Sequence, residues 1–219
     1  MRTAAILPVK SFAQAKQRLR SELAANDRRA LVEAMFADAL VALGRVSALE
    51  RVIVVSGDHV AQRIAGGYGA DVVEDDERGH NTAAMRGIRF ALEQGIERVL
   101  LVPGDCPMLA PRDIEALLAS SSRERVALIV PDRHGTGTNA LLLTPPDVLA
   151  PSFGPDSRRR HMGDAQANGV PAKVVELDSL ALDVDTPEDL AALQHRLADT
   201  HGGAAHTRGM LNQLMRARA

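Results

Sequence analysis

Short aliphatic runs alternate along the chain with longer segments in which apolar positions recur every three or four residues. Aliphatic runs of four to six residues with little polar alternation are typical of strands that helices cover on both faces. The pattern predicts strands at Ala4–Pro8, Arg51–Ser56, Asp71–Glu74, Arg98–Pro103, Val126–Pro131, Asn139–Leu143 and Ala172–Glu176.

The intervening segments with helical periodicity are Asp27 to about Leu43, Thr82–Glu93, Pro111–Ser120 and Pro187–Leu197. The first carries apolar residues at four-residue steps, and Asn26 or Asp27 is placed to cap its start. The last begins with Thr186 as a capping residue and Pro187 at the first helical position, where proline is favoured. These signals predict four helices between and after the strands.

Strands that alternate with helices in this way predict a three-layer α/β/α fold with a mostly parallel sheet and right-handed crossovers. Residues 1–200 are predicted as one domain. The segment from Gly135 to Arg160 interrupts the alternation and is rich in Gly, Pro, Thr and Arg, so we interpret it as an insertion that carries function. Residues 201–219 are predicted as a basic tail, either a frayed helix or a contact in a homodimer.

Composition narrows the function classes. The 26 basic and 28 acidic residues leave a net charge of −2, whereas nucleic-acid and anionic-membrane binders usually show a basic excess. The single cysteine, Cys106, excludes an intramolecular disulfide and a multi-cysteine metal site. No apolar run approaches the roughly 20 residues of a membrane helix, and the first run is better explained as a strand than as a signal peptide. We expect a soluble, cytoplasmic protein.

Two acidic motifs are candidates for metal binding. Asp105 follows the strand Arg98–Pro103, and ligands of open α/β sheets bind at the carboxyl ends of strands. Asp183 and Asp185 are two residues apart, so in an extended segment their carboxylates face the same way, roughly 6.5–7 Å apart. Hard oxygen ligands suit Mg²⁺, and three carboxylates can hold one or two ions for nucleotidyl transfer. The alternatives are a turn in which Asp105 accepts backbone hydrogen bonds, a helix cap at Asp185 and a solvated Asp183.

Basic residues follow the first strand at Lys10, Lys16, Arg18 and Arg20. Cations at this place can neutralise the phosphates of a nucleotide as charge develops. The alternative is a solvated amphipathic turn. Because the segment is neither a Gly-rich P-loop nor a G-x-G-x-x-G fingerprint, an ordinary P-loop NTPase and a Rossmann dehydrogenase are disfavoured.

Two loops within the insertion favour anion binding. The run from Gly135 to Thr138 offers backbone N–H groups and hydroxyls. Ser157 lies near the start of a predicted helix, whose dipole favours anions, and the basic run Arg158–Arg160 follows it. The alternative is a flexible loop and a capped, solvated basic helix. Four isolated histidines lack the spacing of metal ligands: His59, His80, His161 and His195. We expect them at the surface or behind the substrate-contacting residues.

Six motifs occur in one order along the chain: P-V-K…A-K-x-R-L at Pro8–Leu19, H-N-T-A at His80–Ala83, G-D-C-P at Gly104–Pro107, D-R-H-G-T-G-T-N-A-L at Asp132–Leu141, F-G-P-D-S at Phe153–Ser157 and D-V-D-T-P-E-D-L at Asp183–Leu190. In these motifs the chain resembles the 2-phospho-L-lactate guanylyltransferase family of coenzyme F-420 biosynthesis, over roughly residues 4–198. The resemblance implies the fold of molybdopterin-guanylyltransferase-like nucleotidyltransferases. It also implies transfer of GMP from GTP to a three-carbon phospho-acid with release of pyrophosphate.

The resemblance also implies roles for individual residues. The implied Mg²⁺ ligands are Asp105, Asp183 and Asp185. The implied catalytic contacts to the GTP phosphates are Lys10, Lys16 and Arg18, and Asn81 would lie near the nucleotide. The implied ligands of the acceptor's phosphate and carboxylate are Thr138, Gly154 and Ser157.

Two positions depart from the family pattern, because Cys106 and His80 stand where leucine is frequent. Smaller or more polar side chains there favour an acceptor with a hydroxyl group, so we expect 3-phospho-D-glycerate, with phosphoenolpyruvate and 2-phospho-L-lactate left open. The alternative for Cys106 is a small core residue. The rival interpretations are a related nucleotidyltransferase acting on molybdopterin or a sugar phosphate, and a non-catalytic nucleotide-binding module. The two anion-binding loops argue against the first rival, and the three aspartates with the basic loop argue against the second.

Overall fold

A computed structural model of the protein describes residues 1–76, 78–121 and 124–218. Its strands are β1 (Thr3–Pro8), β2 (Arg51–Ser56), β3 (Asp71–Glu74), β4 (Arg98–Leu101), β5 (Val126–Pro131), β6 (Thr138–Thr144) and β7 (Ala172–Val174). Its helices are α1 (Ala25–Leu43), α2 (His59–Gly67), α3 (His80–Glu93), α4 (Pro111–Ser120), α5 (Ser157–Ala167), α6 (Pro187–Asp199) and α7 (Ala205–Arg218). Two short 3₁₀ turns, Phe12–Gln14 and Gln17–Leu19, lie between β1 and α1.

The described strands form one sheet in the order β3-β2-β1-β4-β6-β5-β7. Strand β6 is antiparallel to both of its neighbours, β4 and β5, and the other neighbouring pairs are parallel. The strands other than β6 therefore share one direction, and their carboxyl ends meet at one edge of the sheet. The predicted mostly parallel sheet is confirmed.

Helices cover both faces of the sheet because its central strands are apolar throughout. In β1, Ala5 and Leu7 pack into one core layer, and Ala4 and Ile6 pack into the other. Buried residues of α1, α4, α6 and α7 belong to the first layer, and those of α3 and α5 belong to the second. This arrangement confirms the predicted three-layer α/β/α fold.

Helix α3 packs closely on the sheet at Gly87. A Cβ atom at this position would lie 2.5 Å from Cγ2 of Ile6 and 3.0 Å from Cγ2 of Val55. Only glycine fits this approach without displacing β1 or β2. The close contact fixes α3 against the two strands, so that the start of the helix lies at their carboxyl edge.

Of the two helix N-caps predicted from the sequence, one is confirmed and one is wrong. The predicted cap of α6 is confirmed, because Thr186 Oγ1 accepts a hydrogen bond from Asp189 N and the Asp189 carboxylate accepts one from Thr186 N. The predicted cap of α1 is wrong. That helix begins at Ala25 after the N-cap residue Ala24, so Asp27 lies inside its first turn.

The C-terminal segment is a docked helix rather than a frayed one. Leu211 and Leu214 of α7 are buried in the core layer that contains α1. The Asp38 carboxylate on α1 accepts hydrogen bonds from the backbone N–H groups of His206, at 3.0 Å, and Thr207, at 2.8 Å. Asp38 therefore satisfies donors at the start of α7 that have no partner within that helix. The homodimer contact and the domain boundary at residue 200 stay predictions.

None of the helices in residues 1–76, 78–121 and 124–218 combines the length and hydropathy that a membrane crossing requires.

Candidate active site

The sheet topology brings the predicted site residues to one edge. Lys10 follows the end of β1, and Asp105 follows the end of β4. Thr138 is the first residue of β6, and because β6 runs opposite to β4, this residue lies at the same edge. Open α/β sheets bind ligands at this edge, outside the carboxyl ends of their strands.

Lys16 joins two of the predicted metal ligands. Its ammonium group donates to Oδ2 of Asp105 and to Oδ1 of Asp185, the latter at 2.6 Å. The Lys16 side chain is only 6% exposed, and its backbone adopts a left-handed conformation between the two 3₁₀ turns. Burial by itself lowers the pKa of Lys16, but the two carboxylates outweigh burial and raise this pKa above its ordinary value. Lys16 is therefore a fixed positive charge between two carboxylates.

Asp183 lies beside this pair. Asn139 Nδ2 donates to its Oδ1 at 3.2 Å. Burial, and then the charge of Asp105, raise the pKa of Asp183 to about 6, against the stabilising hydrogen bond from Asn139. Within the described ranges, no group of three or more His, Cys, Asp or Glu side chains has an arrangement that could hold a metal ion as it stands. The Lys16 ammonium occupies the space between Asp105 and Asp185 instead.

Two cavities meet at this acidic group. One has a volume of about 670 Å³ and is lined by Lys10 and Lys16 among others, and the other has about 470 Å³ and is lined by Asp183 among others. Asp105 and Asp185 line both cavities. Their volumes are typical of small-molecule pockets, which span about 300–1,000 Å³. The arrangement suits two ligands that react across a shared acidic boundary.

The smaller cavity collects the predicted acceptor residues. Thr138, Gly154 and Ser157 all line it. Gly154 has φ 120°, a conformation that favours glycine, and Ser157 is the buried first residue of α5. Backbone N–H groups at a helix start favour anions. Arg18 also lines this cavity and not the larger one, although sequence assigns it to the GTP phosphates.

The Asn81 side chain pairs with the backbone of Phe153, a residue that lines the smaller cavity. Its Oδ1 accepts from Phe153 N at 2.8 Å, and its Nδ2 donates to Phe153 O at 3.2 Å. This pairing ties the loop before Gly154 to the start of α3. Asn81 lines neither cavity, so its contact with the nucleotide stays a prediction.

Of the three arginines at the start of α5, one binds the preceding loop and two are exposed. Arg160 donates to the backbone carbonyls of Ser152, at 2.8 Å from Nη2, and of Pro155. This guanidinium therefore holds the loop that precedes α5. Arg158 and Arg159 are exposed.

The four histidines differ in burial and in contacts. His80 is half-buried and lines both cavities. His161 is fully buried, lies 3.0 Å from Thr138 Oγ1 through Nδ1 and accepts from Ser152 N through Nε2. His59 lies 3.1 Å from Gln62 on the surface, and His195 is exposed. The sequence left two positions open for His161, at the surface or behind the substrate-contacting residues, because a lone histidine on a polar helix gives no inward signal; the structure places it behind Thr138.

Cys106 lies in the core rather than at a substrate surface. It has no exposed surface, and its Sγ lies 3.7 Å from Leu180 O. Neither of the two cavities is lined by Cys106. The interpretation of Cys106 as a residue that accommodates an acceptor hydroxyl is therefore wrong, and of the two departures from the family pattern only His80 reaches the acceptor cavity.

Comparison with known proteins agrees with this geometry. The family model described as "Guanylyl transferase CofC like" matches residues 3–216. The chain belongs to this family. A phosphoenolpyruvate guanylyltransferase of Conexibacter woesei is 54% identical over 218 residues, which cover 99% of this chain and 98% of the relative.

More distant members of the CofC-like family carry other acceptor names. A 2-phospho-L-lactate guanylyltransferase of Methanothermobacter thermautotrophicus is 34% identical and aligns with 98% of this chain and 92% of its own. A 3-phospho-D-glycerate guanylyltransferase of Colwellia psychrerythraea is also 34% identical, over 88% of this chain and 91% of its own. A crystal structure described as a nucleotide-diphospho-sugar transferase, from Desulfovibrio desulfuricans, superposes with a TM-score of 0.78 at 16% identity and covers 97% of this chain and 95% of its own. The last comparison supports the fold alone.

Proposed function

We propose that the protein transfers GMP from GTP to the phosphate group of a three-carbon phospho-acid and releases pyrophosphate. The observation that carries this proposal is the pair of cavities that share Asp105 and Asp185. The larger cavity, with its two lysines, suits the nucleotide triphosphate. The smaller one, with Thr138, Gly154 and Ser157, suits an acceptor that bears phosphate and carboxylate groups.

The proposed reaction is a displacement at the α-phosphorus of GTP. An oxygen of the acceptor's phosphate forms a bond to this phosphorus, and the bond to the oxygen that bridges the α- and β-phosphates breaks as pyrophosphate leaves. The acceptor phosphate is already ionised, so no strong general base is needed. The protein must instead align two anions and screen their repulsion, a role that we assign to Lys10, Lys16 and Arg18.

The chemistry of the acidic residues supports magnesium as the proposed ion, which would have to displace the Lys16 ammonium from between Asp105 and Asp185. Asp105, Asp183 and Asp185 offer the hard oxygen atoms that Mg²⁺ prefers. A cation, the Lys16 ammonium, is held between two of these carboxylates, and the pKa of Asp183 is raised first by burial and then by the negative charge of Asp105. The proposed ligands are these three aspartates, and bound Mg²⁺ would supply charge neutralisation for the phosphates.

Among the three acids, we propose phosphoenolpyruvate as the acceptor. Its support is the 54% identity to a relative of nearly the same length that is named for this acid. One of the two residues behind the expectation of 3-phospho-D-glycerate, Cys106, is buried away from both cavities. GTP binding, a step in coenzyme F-420 biosynthesis and a cytoplasmic location belong to the same proposal.

A screen of pyrophosphate release tests the proposal. GTP and ATP would each be incubated with phosphoenolpyruvate, 2-phospho-L-lactate, 3-phospho-D-glycerate and a sugar phosphate, with Mg²⁺ present. We expect release with GTP and a three-carbon acid, and loss of most of it in Asp105→Asn. Asp71→Asn is the matched control, because this carboxylate pairs with Arg51 at the opposite edge of the sheet. Turnover with the sugar phosphate alone, or unchanged Mg²⁺-dependent turnover in Asp105→Asn, would contradict the proposal.

A further inference from the structure

His161 is a fully buried polar residue whose two ring nitrogens both have partners. The backbone N–H of Ser152 donates to Nε2 at 2.9 Å. Nδ1 lies 3.0 Å from Oγ1 of Thr138, the first residue of β6. The ring thus connects the loop before α5 to the strand that lines the acceptor cavity.

These contacts determine which ring nitrogen carries the proton. An N–H donor faces Nε2, so Nε2 must be the unprotonated acceptor. A neutral imidazole then carries its hydrogen on Nδ1 and donates it to Thr138. Burial lowers the pKa of His161 to about 4, which keeps the ring neutral near pH 7. His161 is therefore a donor toward Thr138 and cannot accept from it.

The direction of this hydrogen bond fixes the direction of the next one. Because Thr138 Oγ1 accepts from His161, its own hydrogen is left to point elsewhere. Among the described residues, His161 is the one hydrogen-bond partner of this hydroxyl, and Thr138 lines the acceptor cavity. The hydroxyl is consequently available as a donor to a ligand in that cavity.

We propose that His161 is a positioning residue that orients the Thr138 hydroxyl as a hydrogen-bond donor to an anionic group of the acceptor. The inference rests on the proposed function, in which this cavity holds the phospho-acid. An anion accepts hydrogen bonds and donates none when fully ionised, so a hydroxyl restricted to donation matches it. His161 itself need not touch the substrate.

The ring also supports the other side of the same cavity. The Phe153 ring packs edge-on against His161, with centroids 5.3 Å apart, and edge-on against His80, at 5.2 Å. Gly154 follows Phe153 directly and lines the cavity. The buried His161 side chain thus contacts both walls of the acceptor site. We therefore expect its loss to change the KM for the phospho-acid more than the KM for GTP.

Two substitutions separate hydrogen-bond direction from simple packing. Asparagine places an amide near the position of Nδ1 and keeps a donor for Thr138, whereas glutamine places its amide near Nε2 and keeps an acceptor for Ser152. We expect His161→Gln to raise the KM for the phospho-acid about tenfold, the size expected for a lost hydrogen bond to a charged group. His161→Asn should largely rescue that KM, and the KM for GTP should stay within about twofold in both variants.

A double-mutant comparison ties the effect to the hydroxyl. Thr138→Val should raise the acceptor KM as His161→Gln does, and the two changes together should do no more than either alone. Equal KM increases in His161→Asn and His161→Gln, a parallel rise in the KM for GTP, or multiplying effects in the double variant would overturn the inference. Absence of turnover by the unsubstituted enzyme with every phospho-acid would instead overturn the proposed function on which the inference rests.

Nitrogen-15 NMR of the unsubstituted protein provides a test that needs neither activity nor a folded variant. The ring nitrogens of His161 should show a proton on Nδ1 and none on Nε2 at neutral pH. A proton on Nε2 would reverse the hydrogen bond to Thr138 and overturn the inference.

Discussion

Lys16→Met isolates the role of the buried ammonium group between Asp105 and Asp185. Methionine keeps much of the aliphatic stem and removes the charge. In the absence of metal, the two carboxylates then face each other without the cation that Lys16 supplies, and like charges at short distance destabilise a fold. We expect a less stable protein, with a deficit that depends on Mg²⁺.

The size of the deficit follows from the exposure of the partners. A hydrogen bond to a charged group contributes about 1.5–3 kcal/mol net. The contact with Asp105 contributes most of that free energy, because the Lys16 and Asp105 side chains are only 6% and 27% exposed and solvent screens their charges little. The contact with Asp185, whose side chain is 50% exposed, contributes less because solvent screens it. We therefore expect a loss of about 2 kcal/mol, or roughly 4–8 °C in Tm for a domain of this size.

Thermal unfolding in a chelator and in Mg²⁺, together with Mg²⁺ titration calorimetry without nucleotide, measures the effect. Mg²⁺ should reduce the Tm deficit of Lys16→Met, and this variant should bind Mg²⁺ more tightly than the unsubstituted protein because no lysine has to be displaced. Lys173→Met is the control, since Lys173 is exposed on the edge strand β7. A Tm deficit that is equal with and without Mg²⁺, or an unchanged Mg²⁺ affinity, would show that Lys16 does not occupy the place of a metal ion.

Four further outcomes are expected. Asn81→Ala should raise the KM for the acceptor and leave the KM for GTP unchanged in steady-state kinetics, because Asn81 holds the Phe153 backbone; the opposite pattern would favour the nucleotide contact predicted from sequence. Gly87→Ala should cost about 1–3 kcal/mol in denaturant unfolding, since its Cβ would meet β1. Asp38→Ala should cost about 1–2 kcal/mol and speed hydrogen exchange in α7, which it caps. Between about pH 6.5 and pH 4 the unsubstituted protein should lose up to ~3 kcal/mol of stability relative to His161→Asn, because the unfolded chain takes up a proton that His161 in the fold resists. Asp183, whose pKa is raised to about 6, shifts stability the opposite way over this range in both proteins, so equal pH slopes in the two would contradict this.

Sequence predicts the location of the site because of how parallel strands are arranged. Asp105 follows one aliphatic run and Lys10 follows another, and such ends share an edge whatever the order of the strands. The order itself depends on long-range packing that no local pattern records. For the same reason the sequence predicts β6 as a strand but neither its antiparallel direction nor its place between β4 and β5, which together bring Thr138 to that edge.

The contacts inside the site depend on side-chain orientation, which residue type and spacing do not determine. Sequence placed Lys16 beside phosphates, and the structure pairs it with two carboxylates. Asn81 and Arg160 are suitable ligand contacts by type, yet both are engaged with backbone groups of one loop. His161 is buried because α5 turns it toward Thr138 of β6 and toward Phe153 in the loop before α5, contacts that spacing does not predict.

Guanylyl transfer to a three-carbon phospho-acid changes the mass of the acid, so the masses of the products measure it. The protein would be incubated with GTP, Mg²⁺ and equal amounts of phosphoenolpyruvate, 2-phospho-L-lactate and 3-phospho-D-glycerate, and the products identified by mass spectrometry. We expect a guanosine-diphosphate-linked acid, chiefly the phosphoenolpyruvate adduct, together with pyrophosphate. Absence of every guanylylated acid under conditions in which GTP is bound would contradict this expectation.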